Sequence, residues 1–125
     1  MIERYTRKEI SAIWEDYNRY SIWLSIELAA AEAMEKFKII PKGVVKKVRS
    51  KARINPKRIL KIESKVKHDI IAFLTSITEK AGKEARYLHK GMTSSDVLDT
   101  CFNLQLKQSG EILLKDINLL LQSIK

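Results

Sequence analysis

The chain has 125 residues, of which 45% are hydrophobic and 31% charged, with four Gly, two Pro and a single Cys. This composition is typical of one soluble globular domain; it argues against a disordered segment, and the scarcity of Gly and Pro favours helices over a β-sandwich. The longest apolar run is far too short to cross a membrane, the charged start lacks a secretory signal, and one cysteine forms no internal disulfide, so we expect a reduced, cytoplasmic setting.

The net charge of +9 is concentrated in one block of the chain. Between Lys36 and Lys67 there are 13 Lys or Arg residues and one acid, Glu63. Such a block is compatible with a basic helical nucleic-acid-binding module built on residues 36 to 67. No aromatic residue occurs between Gly43 and Phe73 to stack on bases. A solvated face of a lysine-rich protein is therefore the favoured interpretation, and nucleic-acid binding is the alternative.

The first third of the chain predicts helices that are buried on more than one side. Thr6 and Glu9 have the spacing of a capping box, which predicts a helix start at this point. Apolar residues then recur with helical spacing on two faces as far as Phe37. Polar residues cluster between Asp16 and Ser21, so we expect the helix to break there.

Shorter helices follow in the middle of the chain. Pro41 suits the first turn of a short helix through Val48, and Asn55 before Pro56 predicts an N-cap followed by proline at the first helical position. Residues 69–81 carry a helical apolar stripe, and Gly82 is a stop signal.

The last predicted helix starts at Ser94 or Ser95. Its apolar stripe runs through Cys101 to Ile124, and apolar residues still recur at helical spacing where the sequence ends. A stripe of this length has to pack against something. We therefore expect the chain to be an N-terminal piece of a larger protein whose other helices cover the stripe.

Three polar clusters are candidates for chemistry: Arg4-Tyr5, Lys67-His68-Asp69, and His89 through Asp96. Each also has a purely structural interpretation. Arg4 and Tyr5 suit a surface pair and a staple residue, His68 and Asp69 suit a helix cap, and Ser94 or Ser95 is expected to cap the last helix at least in part.

The physical case for binding is strongest in the third cluster. Hydroxyls and free backbone N–H groups at a helix N-terminus form an anion site, which the helix dipole reinforces. Gly91 allows close backbone approach, and His89 and Lys90 add positive charge. A carboxylate or a phosphate is the predicted ligand. The two His and scattered acids lack metal-ligand spacing, and no phosphate-binding loop or dinucleotide fingerprint occurs, so neither a metal nor a cofactor is predicted.

Four segments together resemble the N-terminal region of the adenylosuccinate lyase family, which is part of the fumarase/aspartase superfamily: MIERYTR, AIWEDYNRYSIWLSIELAAAEA, KHDIIAFL and HKGMTSSDVLDT. The similarity runs from Met1 to about Lys125, in order and at family spacing. The TSSD segment marks only the superfamily, whereas IERY with KHDIIAFL narrows it to this family. An argininosuccinate-type lyase is the runner-up.

The resemblance implies an all-α fold, the N-terminal helical domain of the fumarase/aspartase-type lyase fold. Residues from about 1 to 93 would form a small helical domain, and residues from about 94 to 125 the first long helix of a central bundle. The implied reaction is β-elimination of fumarate from adenylosuccinate to give AMP, and from the succinylated aminoimidazole carboxamide ribotide, in purine biosynthesis. The family acts on these small molecules as a homotetramer whose sites combine several subunits.

The matched motifs also imply roles in holding the nucleotide and the carboxylates. Arg4 and Tyr5 would hold the nucleotide through its phosphate, and His89 would contact the phosphate. Thr93 and Ser94 would bind a substrate carboxylate or the adjoining part of the nucleotide.

The resemblance places the reacting end of the substrate beside the second cluster. Lys67, His68 and Asp69 would line the substrate site, with His68 as a supporting catalytic residue close to the leaving group. Histidine suits this place because its proton affinity lies near neutral pH. The family commonly has Arg where this chain has Lys67. The planar guanidinium, which can donate two parallel hydrogen bonds, is thus replaced by a single ammonium charge. The family's principal acid histidine and its base, a serine of a mobile loop, lie beyond Lys125, so the isolated chain is expected to be inactive.

Overall fold

The computed structural model describes residues 2–124, except for the side chain of Glu3, and these residues form six α-helices and two 3₁₀ helices. The α-helices are α1 Lys8–Trp14, α2 Asp16–Lys36, α3 Val44–Lys51, α4 Pro56–Val66, α5 Asp69–Ala81 and α6 Ser94–Ile124. The 3₁₀ helices cover Glu3–Tyr5 and Gly82–Tyr87. The described range contains no strand, which confirms the predicted all-α class. None of its helices is long and apolar enough to span a membrane.

Three aromatic rings form the centre of the core and join α2 to α5. Tyr20, Trp23 and Phe73 are at most 2% exposed. Trp23 meets Tyr20 and Phe73 edge to face, with centroid distances of 5.2 and 5.4 Å, and Tyr20 stacks on Phe73 at 6.0 Å. Such arrangements add to the energy of area burial. Burial also raises the pKa of the Tyr20 hydroxyl, which therefore stays neutral.

Helices α3, α4 and α5 carry the basic block on their outer surface. Helix α4 packs along α5, and α3 packs against α2 and α5, with Val48, Ile59 and Ile77 fully buried between them. All 13 basic residues from Lys36 to Lys67 are exposed. Acidic groups pair with three of them, as Arg49–Glu32, Lys47–Glu84 and Arg58–Glu79. The block is thus a partly neutralised, solvated helix surface.

Helix α6 has buried residues on one face of its first half and none in its second half. Val97, Cys101 and Gln105 are buried where α6 packs against α1 and α2. Burial raises the pKa of the Cys101 thiol, so this residue packs as a small apolar group instead of acting as a nucleophile. Further along, seven apolar side chains are between 49% and 72% exposed: Leu113, Leu114, Ile117, Leu119, Leu120, Leu121 and Ile124. Contiguous exposed apolar surface is typical of an interface.

The predicted capping box at Thr6 and Glu9 is wrong. Helix α1 begins at Lys8, the Thr6 hydroxyl donates to the Ile2 carbonyl at 2.8 Å, and the Glu9 carboxylate pairs with Arg7. Arg7 is itself held by an ion pair with Asp116 on α6. A tertiary contact therefore takes the Glu9 side chain away from the position that a capping box requires.

Two further boundaries also differ from those predicted. The break between α1 and α2 falls at Glu15, just before the predicted Asp16–Ser21 segment, because the Glu15 backbone is extended with φ −73° and ψ 150°. Helix α3 starts at Val44 rather than at Pro41, because Gly43 adopts a left-handed conformation with φ 92° that a helix cannot include.

Local signals elsewhere are confirmed. The Asn55 side chain accepts a hydrogen bond from the Arg58 N–H at 3.1 Å and Pro56 opens α4. Helix α5 covers residues 69–81, and Gly82 with φ 77° ends it. The predicted start of the last helix at Ser94 is also confirmed.

Candidate functional site

The α4–α5 junction places three of the predicted site residues in one tight turn. Helix α4 ends at Val66 and α5 begins at Asp69, so Lys67 and His68 alone connect them. Lys67 is left-handed, with φ 56° and ψ 32°, and its N–H donates to the Glu63 carbonyl at 2.8 Å. Glycine normally takes this conformation, which costs other residues about 1–2 kcal/mol. The turn holds the Lys67 and His68 side chains at the surface.

His68 is the N-cap of α5, as the structural interpretation predicted. Its Nδ1 accepts a hydrogen bond from the Ile71 N–H at 3.4 Å, and the Asp69 carboxylate accepts one from the Ile70 N–H at 2.7 Å. Because Nδ1 accepts, we assign the proton of the neutral ring to Nε2. The hydrogen bonds among residues 2–124 leave Nε2 without a partner, so the cap leaves one ring nitrogen available as a donor to a ligand.

Replacing Lys67 with glycine should raise the stability of the fold. Glycine relieves the left-handed backbone but makes the unfolded chain more flexible, so we expect a net gain of about 0.5 kcal/mol in the free energy of unfolding. Lys61→Gly is the matched control, since Lys61 is an exposed lysine in the interior of α4 and its replacement should cost about 1 kcal/mol. Urea denaturation measures both changes in stability. A loss of stability in Lys67→Gly would show that the lysine side chain itself stabilises the turn.

The buried carboxylate of Glu27 holds His89, and the sequence analysis did not predict this contact. Glu27 on α2 is 1% exposed; its Oε2 accepts a hydrogen bond from the His89 backbone N–H at 2.6 Å, and its Oε1 lies 2.6 Å from His89 Nδ1. His89 is left-handed, with φ 60°. The available signal was the position of Glu27 on the apolar stripe, three residues after Leu24 and four before Ala31. A charged group at such a position needs a buried partner.

The start of α6 is capped by Asp96, not by a serine. The Asp96 carboxylate accepts a hydrogen bond from the Thr93 N–H at 2.8 Å, so the predicted capping by Ser94 or Ser95 is wrong. Within the described residues, neither serine hydroxyl makes a hydrogen bond, which leaves both free for a ligand. The Asp96 charge opposes an anion at this helix end, so recognition of an anion here relies on the neutral hydroxyl and amide donors.

Arg4 and Tyr5 lie in the 3₁₀ helix that precedes α1. The Arg4 guanidinium stacks over the Tyr5 ring at 4.7 Å, and the Tyr5 N–H donates to the Ile2 carbonyl at 3.0 Å. Tyr5 is 74% exposed. A guanidinium and a phenol presented together at the surface are donors suited to a phosphate.

The three clusters are not linked to one another by polar contacts within the described residues. Across residues 2–124, no hydrogen bond or ion pair joins one cluster to another. A cavity of about 870 Å³ lies at the end of α2, and its lining includes Glu32, Glu35 and Ile40. None of the eight predicted site residues lines it. Nor does the described range contain a group of three or more His, Cys, Asp or Glu placed to hold a metal ion.

Comparison with known proteins gives relatives over the whole chain, although no family model matches it. The chain is 45% identical over 125 residues to an adenylosuccinate lyase of Synechocystis sp. and 46% identical to one of Bacillus subtilis, and it spans 29% of the length of each. The predicted resemblance is thereby confirmed over the length of this chain.

The fold is also found in a solved structure. The chain is similar to a fumarate lyase from Mesorhizobium sp. BNC1, with a TM-score of 0.79 and 21% identity over 87% of this chain and 26% of that one. This likeness confirms the predicted lyase-type fold.

Proposed function

We propose that this chain is the N-terminal segment of an adenylosuccinate lyase, which cleaves adenylosuccinate to AMP and fumarate and acts likewise on the succinylated aminoimidazole carboxamide ribotide in purine biosynthesis. The observation that carries the proposal is 45–46% identity to adenylosuccinate lyases over all 125 residues. Small-molecule chemistry in the cytoplasm, and not nucleic-acid binding, is the proposed role. The absence of aromatic residues from α3 and α4 supports this choice.

The proposed reaction needs a base, an acid and anion stabilisers. A base removes a proton from the succinyl carbon next to a carboxylate, and an acid protonates the departing nitrogen as the carbon–nitrogen bond breaks. The negative charge that develops on the carboxylate side needs positioned donors. His68 suits a supporting role at the leaving group, because its cap hydrogen bond keeps the neutral-ring proton on Nε2.

The substrate is an anion, and the other predicted site residues are suited to hold it. Arg4, Lys67 and His89 supply cationic or donor groups, and Thr93 and Ser94 supply hydroxyls at the start of α6. We propose that Arg4, Tyr5 and His89 bind the phosphate and that the hydroxyls bind a substrate carboxylate. Asp69 lines the same site beside His68.

The complete site requires protein outside this chain, which spans 29% of the length of the curated relatives. The lack of any hydrogen bond or ion pair between the three clusters within residues 2–124 supports this, as does the exposed apolar half of α6. We propose that further helices and further subunits of a homotetramer cover α6, and that they supply the principal acid and base. The chain alone is then inactive.

The test is release of fumarate by the full-length protein that contains this segment. We expect fumarate from adenylosuccinate, followed by absorbance, and none from argininosuccinate, which serves as the control substrate for the runner-up. The 125-residue chain at the same concentration should release none. Turnover of argininosuccinate alone would overturn the substrate assignment, and turnover by the isolated chain would overturn the proposal that the site is shared.

A further inference from the structure

We infer that Glu27 is a positioning residue that sets the protonation pattern and orientation of His89 for binding the substrate phosphate. The inference rests on the proposed function, since it concerns how the site recognises its anion. It starts from a fully buried carboxylate on α2 whose two oxygens both face one residue, 62 positions further along the chain.

The hydrogen bonds determine which ring nitrogen of His89 carries a proton. Glu27 Oε2 accepts a hydrogen bond from the His89 backbone N–H, which is a donor under all conditions. With Glu27 taken as an ionised carboxylate, Oε1 only accepts, so we assign the proton of the 2.6 Å contact to Nδ1. Nε2 is then the one ring nitrogen left for a ligand. It becomes a donor when the ring is protonated, and the buried carboxylate balances the charge of that imidazolium.

The same contact also fixes the direction of the ring. The backbone and the imidazole of His89 bind the two oxygens of a single carboxylate, which leaves the side chain little rotational freedom. The left-handed backbone of His89 is a conformation that the surrounding structure has to impose, and the Glu27 hydrogen bond to the His89 N–H contributes to imposing it. A phosphate ligand then meets a preoriented donor, and less side-chain entropy is lost on binding.

The hydrogen bonds therefore place the proton of the neutral ring on different nitrogens in the two site histidines. Nδ1 of His68 accepts a hydrogen bond from the Ile71 N–H, whereas Nδ1 of His89 lies 2.6 Å from Glu27 Oε1 and is assigned as the donor to it. The neutral ring of His68 thus offers a proton at Nε2, whereas the His89 ring is held by Glu27 through Nδ1 and has Nε2 left for a ligand. This division fits His68 beside the leaving group and His89 beside the phosphate.

The direct test is the protonation pattern of His89 in the 125-residue chain, read from imidazole ¹⁵N chemical shifts. We expect a proton on Nδ1 in the wild type, in either the neutral or the cationic ring, and loss of that pattern in Glu27→Gln. Glutamine offers one acceptor oxygen where the structure needs two. A wild-type ring protonated on Nε2 alone would overturn the inference without any variant, so a Glu27→Gln chain that fails to fold leaves the test intact.

Kinetics of the full-length protein supply the second readout. Glu27→Gln should raise KM for adenylosuccinate at least about tenfold with little change in kcat, because a phosphate contact acts on the ground state and the transition state alike. Glu35→Gln is the matched control: Glu35 lies on the same helix and accepts a hydrogen bond from the Val45 N–H at 2.7 Å, but it contacts no histidine. An equal rise in KM in both variants, or none in Glu27→Gln, would reduce Glu27 to a structural carboxylate.

The two readouts separate the inference from the proposed function. If the full-length protein releases no fumarate, the proposed function fails. The ¹⁵N shifts still report whether Glu27 determines the protonation pattern of the His89 ring. If fumarate is released but the wild-type ring carries its proton on Nε2 alone, the function stands and the role of Glu27 is refuted.

Discussion

Replacing His68 with asparagine should lower kcat of the full-length protein about 100-fold and leave its thermal stability nearly unchanged. Asparagine is one of the best N-cap residues, so it replaces the weak 3.4 Å hydrogen bond from the Ile71 N–H to the ring and keeps the start of α5 intact. It has no group that titrates near neutral pH, so the proposed proton donor is lost. Steady-state kinetics and a thermal melt of the same preparation measure the two effects.

His68→Ala is the control that separates capping from catalysis. Alanine removes both the cap and the imidazole, so it should show the same loss of kcat together with about 1 kcal/mol lower stability. Full turnover in His68→Asn would leave His68 with its capping role alone and would move the leaving-group chemistry to another residue.

Replacing Phe73 with alanine should destabilise the chain by about 3–5 kcal/mol. Phe73 is fully buried between Tyr20 and Trp23, and removal of its ring opens a cavity and breaks both aromatic contacts. The loss is a large part of the stability of a domain of this size. Urea denaturation followed by tryptophan fluorescence measures it.

Phe37→Ala makes the same chemical change at the surface. Phe37 follows α2 and is 79% exposed, so its removal should change the free energy of unfolding by no more than about 0.5 kcal/mol. Similar effects of the two substitutions would mean that the ring cluster of Tyr20, Trp23 and Phe73 is not the centre of the folded core.

The sequence alone determined those helix starts and stops that depend on residues within a few positions of each other. Helix α5, its stop at Gly82, and the Asn55-Pro56 start of α4 depend on side chains that bond or restrict the adjacent backbone, so their sequence signals are sufficient. The all-α class follows from the same helical periodicity. The site motifs around His68 and Thr93 were recognisable for a related reason, since each is a contiguous segment at a helix start.

Only the tertiary structure decided the features that join distant positions. Thr6 and Glu9 have the pattern of a capping box, but Asp116 holds Arg7 from 109 residues away, and Arg7 takes the Glu9 carboxylate. Glu27 and His89 are 62 residues apart, and the sequence contains no local trace of their contact beyond one acid on an apolar stripe. The physical reason is common to both cases. A charged side chain binds the strongest partner that the fold brings within reach, and sequence spacing describes only the partners on its own helix.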